Sequence, residues 1–258
     1  MLARFRRHLL PGLALLFAFL ALAGLGLYRW QFSDLPSLDD VHGYASAPSS
    51  KVYDRHGSLL FEMPPPLTGR HTPVPLSEIP EALRQATIAT EDASYYENPG
   101  VDVWAIVRAV WINLRGGEVL SGGSTITQQL ARNLLLRPEE RYERTLTRKL
   151  REAWLAWRMA RRYSKDEILE LYLNEIYFGN MAYGVQGAAQ AYFGKHVRDL
   201  DLAECTMLAG LPQAPALYNP LEHLKAAKAR QAVVLDLMVK QGYLTMDQAL
   251  VAKAEELH

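Results

Sequence analysis

The segment Gly122-Gly123-Ser124-Thr125-Ile126-Thr127-Gln128-Gln129 runs straight into Leu130-Ala131-Arg132-Asn133-Leu134-Leu135-Leu136. Two glycines free the backbone, and five of the next six side chains carry a hydroxyl or an amide. Buried polar groups need partners, so this is not an ordinary core segment. A glycine-hinged loop that opens a helix fits it, with hydrogen-bonding groups turned towards a polar ligand. A plain helix cap by Ser124 or Thr125 fits as well. These residues alone leave both readings open.

On the N-terminal side, Ile79, Leu83, Ala86 and Ile88 recur at helical spacing and predict a helix ending at Glu91-Asp92. Paired carboxylates at a helix C-terminus oppose the macrodipole and disfavour each other's ionisation. That can raise one pKa towards the range of a general base; an acidic surface turn is the simpler reading. On the C-terminal side a long helix is expected from about Tyr142 to Tyr163. Arg144, Arg148 and Arg151 share one of its faces, with Lys149 and Glu152 at the edge. A solvated face with an Arg148–Glu152 pair explains such a run. Clustered guanidinium groups, joined here by Arg132 and Arg137, also match phosphate oxygens.

Further out, Ser164-Lys165-Asp166-Glu167 and Thr245-Met246-Asp247-Gln248 read as capping boxes that open two more helices. Lys51-Val52-Tyr53 and Ser58 to Glu62 flank a turn and read as a β-hairpin. A second helix is expected from Val103 to Leu114, with Trp104, Val107 and Trp111 on its apolar side. From Leu9 to Tyr28 there is no charged residue, long enough for a membrane helix. Arg4, Arg6 and Arg7 precede it, which places the N-terminus in the cytoplasm and the rest outside. A cleaved signal peptide is the weaker alternative, since the apolar run continues past Ala21-Leu22-Ala23. The expected organisation is therefore an anchor over 1–30, a juxtamembrane linker over 31–50 and a mostly α domain with a small β-hairpin over 51–258.

Composition narrows the function. Lys+Arg and Asp+Glu each total 28 in 258 residues, which gives no basic footprint for nucleic acid. The seven histidines form no zinc-binding pair, and the single cysteine, Cys205, sits in an apolar run as a core residue. No metal site is predicted. For an exported domain, a phosphate-bearing lipid head group suits the arginines better than nucleic acid.

Taken together, these segments resemble the peptidoglycan glycosyltransferases of family 51. This is the lysozyme-like domain of class A penicillin-binding proteins and of monofunctional transglycosylases. Glu91-Asp92-Ala93-Ser94-Tyr95-Tyr96-Glu97-Asn98-Pro99-Gly100 is similar to E-D-x-x-F-x-x-H-x-G, with Tyr95 for Phe and Asn98 for His. Gly122 to Gln129 is similar to G-x-S-T-I-T-Q-Q. Arg148-Lys149-Leu150-Arg151-Glu152 is similar to R-K-x-x-E, and Lys165 to Asn174 to K-x-x-I-L-E-x-Y-L-N. Arg230-Gln231-Ala232-Val233-Val234-Leu235 is similar to R-R-x-x-V-L without its second arginine, in a region read as structural.

The resemblance implies inverting polymerisation of lipid II into β-1,4-linked glycan, with loss of undecaprenyl pyrophosphate, on the outer face of the bacterial cytoplasmic membrane. It implies Glu91 as general base and Glu152 as the second catalytic carboxylate, orienting the cations or a divalent metal. Asp92, Ser124, Thr125, Gln128, Gln129, Arg132, Arg144, Arg148, Lys149, Arg151 and Asn174 would bind substrate. No cofactor is required, though Mg or Mn is compatible. The implied partners are lipid II, the lipid-linked glycan strand, the membrane and other cell-wall synthesis proteins. Trp104, Val107 and Trp111 suit a membrane-dipping flap. No transpeptidase signature of the Ser-x-x-Lys, Ser-x-Asn or Lys-Thr-Gly type occurs in the sequence. Either a monofunctional enzyme or the N-terminal part of a longer protein accommodates that. A glycan hydrolase and an inactive scaffold are the alternatives.

Overall fold

The computed structural model describes residues 17–19, 21–26, 29, 31–39, 41–45, 47–57, 59–63, 69–102, 123–143 and 145–257. The expected helix over 103–114, with Trp104, Val107 and Trp111, lies outside these residues, as do Arg144 and Gly122. So does much of the expected anchor. Residues 17–19 and 21–26 are helical, and among the described residues no helix is long and apolar enough to cross a membrane.

The domain is mostly helical. Helix α1 (Glu81–Glu91) follows the hairpin β1 (Ser50–Tyr53) and β2 (Leu59–Met63) and the short strand β3 (Arg70–His71). Then come α2 (Ile126–Leu135), α3 (Pro138–Arg141), α4 (Leu146–Arg162) and α5 (Lys165–Glu175). Strands β4 (Tyr177–Gly179) and β5 (Ala182–Tyr183) lead to α6 (Gly184–Phe193), α7 (Leu202–Gly210), α8 (Pro220–Lys240) and α9 (Met246–Ala254). β1 pairs antiparallel with β2, while β5 lies between β3 (parallel) and β4 (antiparallel).

The core forms where the helical stripes meet. Ile79, Leu83, Ala86 and Ile88 are all buried, as their spacing predicts, and α1 packs against α7 and α8. α2 buries Ile126, Leu130, Ala131 and Leu134 against α4 and α5. Cys205 is fully buried on α7, in the role expected for it. Both predicted capping boxes are present, with Ser164 and Glu167 opening α5 and Thr245 and Gln248 opening α9. A third, Asp201 with Glu204, opens α7.

Two boundaries differ from expectation. α4 begins at Leu146 rather than near Tyr142, because the Thr145 hydroxyl accepts from the Arg148 N–H and caps the helix there. Residues 31–39 and 41–45 are also no loose linker. Leu38 and Val41 are buried in the core, and the Tyr163 hydroxyl on α4's C-cap donates to the Leu38 carbonyl (2.8 Å) and accepts from the Val41 N–H (3.2 Å). Phe32 lies against Trp154 with ring centroids 5.4 Å apart. This stretch is a strap along α4.

Candidate active site

Glu91 closes α1 and Asp92 caps it with non-helical backbone angles. The turn carries Asp92 Oδ2 to the N–H of Ile126, the first residue of α2, at 3.1 Å. A carboxylate unfavourable at one helix's C-terminus thus serves the positive N-terminus of the next. Asn98 Nδ2 donates to Asp92 Oδ1 (2.9 Å) and Asn98 Oδ1 accepts from the Gly100 N–H (2.9 Å). The asparagine in the histidine's place therefore supplies a supporting hydrogen bond. Lys165 ties the same turn to α5 through the Asn98 carbonyl (2.7 Å), and the Tyr95 hydroxyl donates to the Lys165 carbonyl (2.5 Å).

Gly100 has φ +93°, and a Cβ there would lie 2.5 Å from the Ala156 carbonyl oxygen on α4. Only glycine combines that conformation with so close an approach. Its carbonyl accepts from Thr125 Oγ1 at 2.6 Å, which draws the Gly-Ser-Thr loop against the turn. Thr125 is the N-cap of α2 in a capping box with Gln128. The cap reading is therefore correct for Thr125, and Ser124, one residue earlier, is left to face the cleft.

Among the described residues Glu91 receives a hydrogen bond from Gln129 Nε2 at 2.8 Å, and Gln129 Oε1 in turn accepts from the Tyr172 hydroxyl at 3.2 Å. The relay fixes the amide so that its NH2 faces the carboxylate. Burial pushes the Glu91 carboxyl above its ordinary range, against the pull of Gln129, Arg230 and Arg132. A carboxylate with raised proton affinity and a fixed orientation is suited to accept a proton.

Across the cleft, Glu152 on α4 is fully buried beneath Arg148 and Lys149. Lys149 Nζ lies 3.0 Å from Glu152 Oε2 and donates to Ser124 Oγ at 2.5 Å. One carboxylate shared by two cations leaves net positive charge. Burial, then Arg132 and Arg148, lower the Lys149 pKa to about 8.

Glu91, Ser124, Gln129, Arg132 and Arg148 line adjoining cavities that share residues along a groove. A central section of ≈ 240 Å³ contains Glu91, Ser124, Gln129, Arg132 and Arg230. It shares Glu91 and Ser124 with a section of ≈ 540 Å³ whose wall carries Glu97 and Asp102. On the other side it shares Arg132 with a section of ≈ 910 Å³ that holds Arg141, Arg148, Tyr177 and Tyr183. Among the described residues Glu91 thus stands between an acidic section and one in which three arginines outnumber the carboxylates of Glu143 and Glu175.

The structure brings Glu91, Ser124, Gln129, Arg132, Arg148, Lys149 and Glu152 near one another and places the other described candidates elsewhere. Asp92 spends its oxygens on the Ile126 N–H and on the Asn98 and Ser94 side chains, and Thr125 spends its hydroxyl on the backbone, so both position the loop. Gln128 is fully buried, with Oε1 on the Thr125 N–H (3.0 Å). Asn174 bridges α5 to Val74, accepting from its N–H (2.9 Å) and donating to its carbonyl (2.8 Å). Arg151 points away and pairs with Asp34 (2.7 Å) and Glu140 (3.2 Å). Glu152 is a positioning residue that reaches the groove only through its cations. With both oxygens engaged by cations, it has no free edge for Mg or Mn, so a metal does not fit there. Among the described residues no group of three or more His, Cys, Asp or Glu could hold a metal ion.

Arg230 and Tyr172 were not assigned roles from sequence. Arg230 stands in the segment read as structural, and that reading holds for Gln231. Its buried amide donates to the Ala203 carbonyl at 2.7 Å. Arg230, one residue earlier, faces the groove instead. A tyrosine inside an apolar helical stripe gives no sign of which end carries its work.

The domain is mostly helical and sets the half-buried Glu91 carboxylate opposite a bank of cations. Its relatives agree in family. The transglycosylase family model matches residues 57–239, and the chain belongs to that family. It is 44% identical over 243 residues to penicillin-binding protein 1A of Neisseria flavescens, covering 93% of this chain and 30% of that protein. It is 45% identical over 217 residues to penicillin-binding protein 1A of Aquifex aeolicus, covering 84% and 29% respectively. A crystal structure of penicillin-binding protein 1A from Haemophilus influenzae aligns with 83% of this chain and 21% of its own, at 27% identity and a TM-score of 0.47. The chain thus spans about three tenths of the length of the curated relatives it matches.

Proposed function

We propose that the domain is a peptidoglycan glycosyltransferase that polymerises lipid II. The growing glycan, still bearing its lipid pyrophosphate, is the donor, and a new lipid II is the acceptor. The acceptor's 4-hydroxyl gives its proton to Glu91 while its oxygen attacks the donor's anomeric carbon. The bond from that carbon to the pyrophosphate breaks with inversion, and the electron pair leaves on the pyrophosphate. Arg132, Arg148 and Lys149 stabilise that developing anion, the kind of fixed electrostatic complement that dominates many enzymatic rates. Ser124 and Gln129 bind sugar or phosphate oxygens at the junction, and Arg230 adds a cation on the far side of Glu91. No step needs a metal. The Leu9–Tyr28 segment anchors the chain in the cytoplasmic membrane, with the domain on its outer face.

The observation that carries this reading is the raised, amide-oriented carboxylate of Glu91 in a groove whose other wall is cationic. Incubation of the full chain with labelled lipid II tests it. Wild type is expected to form polymer, and Glu91→Gln to lose on the order of 10²–10⁴-fold of the rate, the usual worth of a general base. Equal rates would overturn the assignment of Glu91. Shortening of preformed glycan would make the protein a hydrolase.

A further inference from the structure

His71 and Glu175 form a buried ion pair behind the arginine-bearing section of the groove, and the proposed chemistry does not use it. Their side chains are 1% and 5% exposed, with Nε2 3.4 Å from Oε1. Two features of the fold bring them together. Asn174 holds the N–H and carbonyl of Val74, and three residues earlier β3 runs parallel to β5 with His71 opposite Tyr183. Glu175 is the last residue of α5, where a carboxylate opposes the helix macrodipole and the last turn carries no basic residue. His71 brings a cation to that end from another element.

The surroundings of the ring specify its charge. Among the described residues Nδ1 faces the Ala47 carbonyl (3.3 Å), and Nε2 faces the Asn174 carbonyl (2.9 Å) as well as Glu175. All three are acceptors. A neutral imidazole has a single N–H, so its other nitrogen would set a lone pair against an oxygen. Only the imidazolium donates on both sides. Burial by itself lowers the His71 pKa, but the hydrogen bond and charge of Glu175, with the two carbonyls, outweigh it and raise the pKa.

We infer that His71 is a positioning residue, held as a cation, that offsets Glu175 beneath the arginines and so sets how tightly they hold a diphosphate. The inference rests on the proposal that a pyrophosphate departs there. Glu175 lines the section of ≈ 910 Å³ together with Arg132, Arg141, Arg148 and Glu143. Without His71 the full charge of the Glu175 carboxylate falls on those arginines and opposes an incoming anion.

The test uses the full chain in detergent. With isotope-labelled histidine, the ring resonances that His71→Gln removes should show two protonated nitrogens at neutral pH; a single protonated nitrogen would overturn the inference. Calorimetry with inorganic pyrophosphate then reads the arginines. His71→Gln should weaken binding on the order of tenfold. Adding Glu175→Gln to it should bring binding back near wild type, because the pair again carries no net charge. A double variant as weak as the single would mean that His71 acts through packing, which overturns the inference, and so would unchanged binding in His71→Gln. If His71→Gln does not fold, Glu175→Gln alone decides: binding equal to or tighter than wild type is expected, and weaker binding refutes the offset. A wild type that binds no pyrophosphate sinks the inference as well. Polymer formation from lipid II reads the proposed activity in a separate assay, so either reading can fail without the other.

Discussion

Lys149 joins Ser124 to the buried Glu152, and its charge responds to pH. Its pKa is lowered to about 8, so the cation is present below that pH and is lost above it. Glu91 behaves oppositely. Its carboxyl is raised by burial, so the base form appears only as pH climbs above the ordinary carboxylate range. The polymerisation rate should therefore rise on the acid side with Glu91 and fall near pH 8 with Lys149. In Lys149→Arg the charge persists well past that point, since guanidinium stays protonated up to about pH 12. Its alkaline limb should move upward or vanish in a pH–rate profile, and an unmoved limb would take Lys149 out of the rate. The two departures from the family pattern in the first motif also resolve at this scale. Tyr95 and Asn98 both make internal hydrogen bonds, so neither leaves a buried polar group idle.

The Gly-Ser-Thr loop divides its labour between adjacent residues. Thr125 caps α2 and holds the Gly100 carbonyl, whereas Ser124 meets Lys149. Thr125→Ala should cost about 1–2 kcal/mol in chemical denaturation, the usual worth of a cap. Ser124→Ala should leave stability within about 0.5 kcal/mol, as is usual for surface changes, and lower polymerisation instead. Equal loss of stability in both would deny the division. Much at this scale was legible beforehand. Capping boxes are local chemistry, so Ser164–Glu167 and Thr245–Gln248 announced their helices, and the period of Ile79 to Ile88 announced α1. Spacing failed where a tertiary partner decides. The arginine period ran through Thr145, and only the cap shows where α4 begins. β3, β4 and β5 are two or three residues long and too short to carry a period. Arg151 shares a helix with Arg148, yet Asp34 lies a hundred residues away in sequence and claims it.

Across the whole molecule, the strap over 31–45 joins the entering chain to α4, the helix that carries Arg148, Lys149 and Glu152. Tyr163 is its clasp, and Tyr163→Phe leaves the Val41 N–H and the Leu38 carbonyl without it. A loss of about 1–3 kcal/mol is expected, with faster proteolytic cutting between residues 31 and 50; unchanged cutting would show that the buried Leu38 and Val41 suffice. Sequence composition read this stretch as a linker because Ser, Asp and Pro predominate. Leu38 and Val41, with Leu35 and Ala45 partly buried beside them, do the packing. The groove meets the same helix from the other side, and its two outer sections differ in net charge around Glu91. Under the proposed chemistry a diphosphate would settle towards Arg132 and Arg148 and away from Glu97 and Asp102. Under the proposed chemistry the groove is polarised like a rectifier. Which end of a glycan grows would be decided by charge, before any sugar hydroxyl is read.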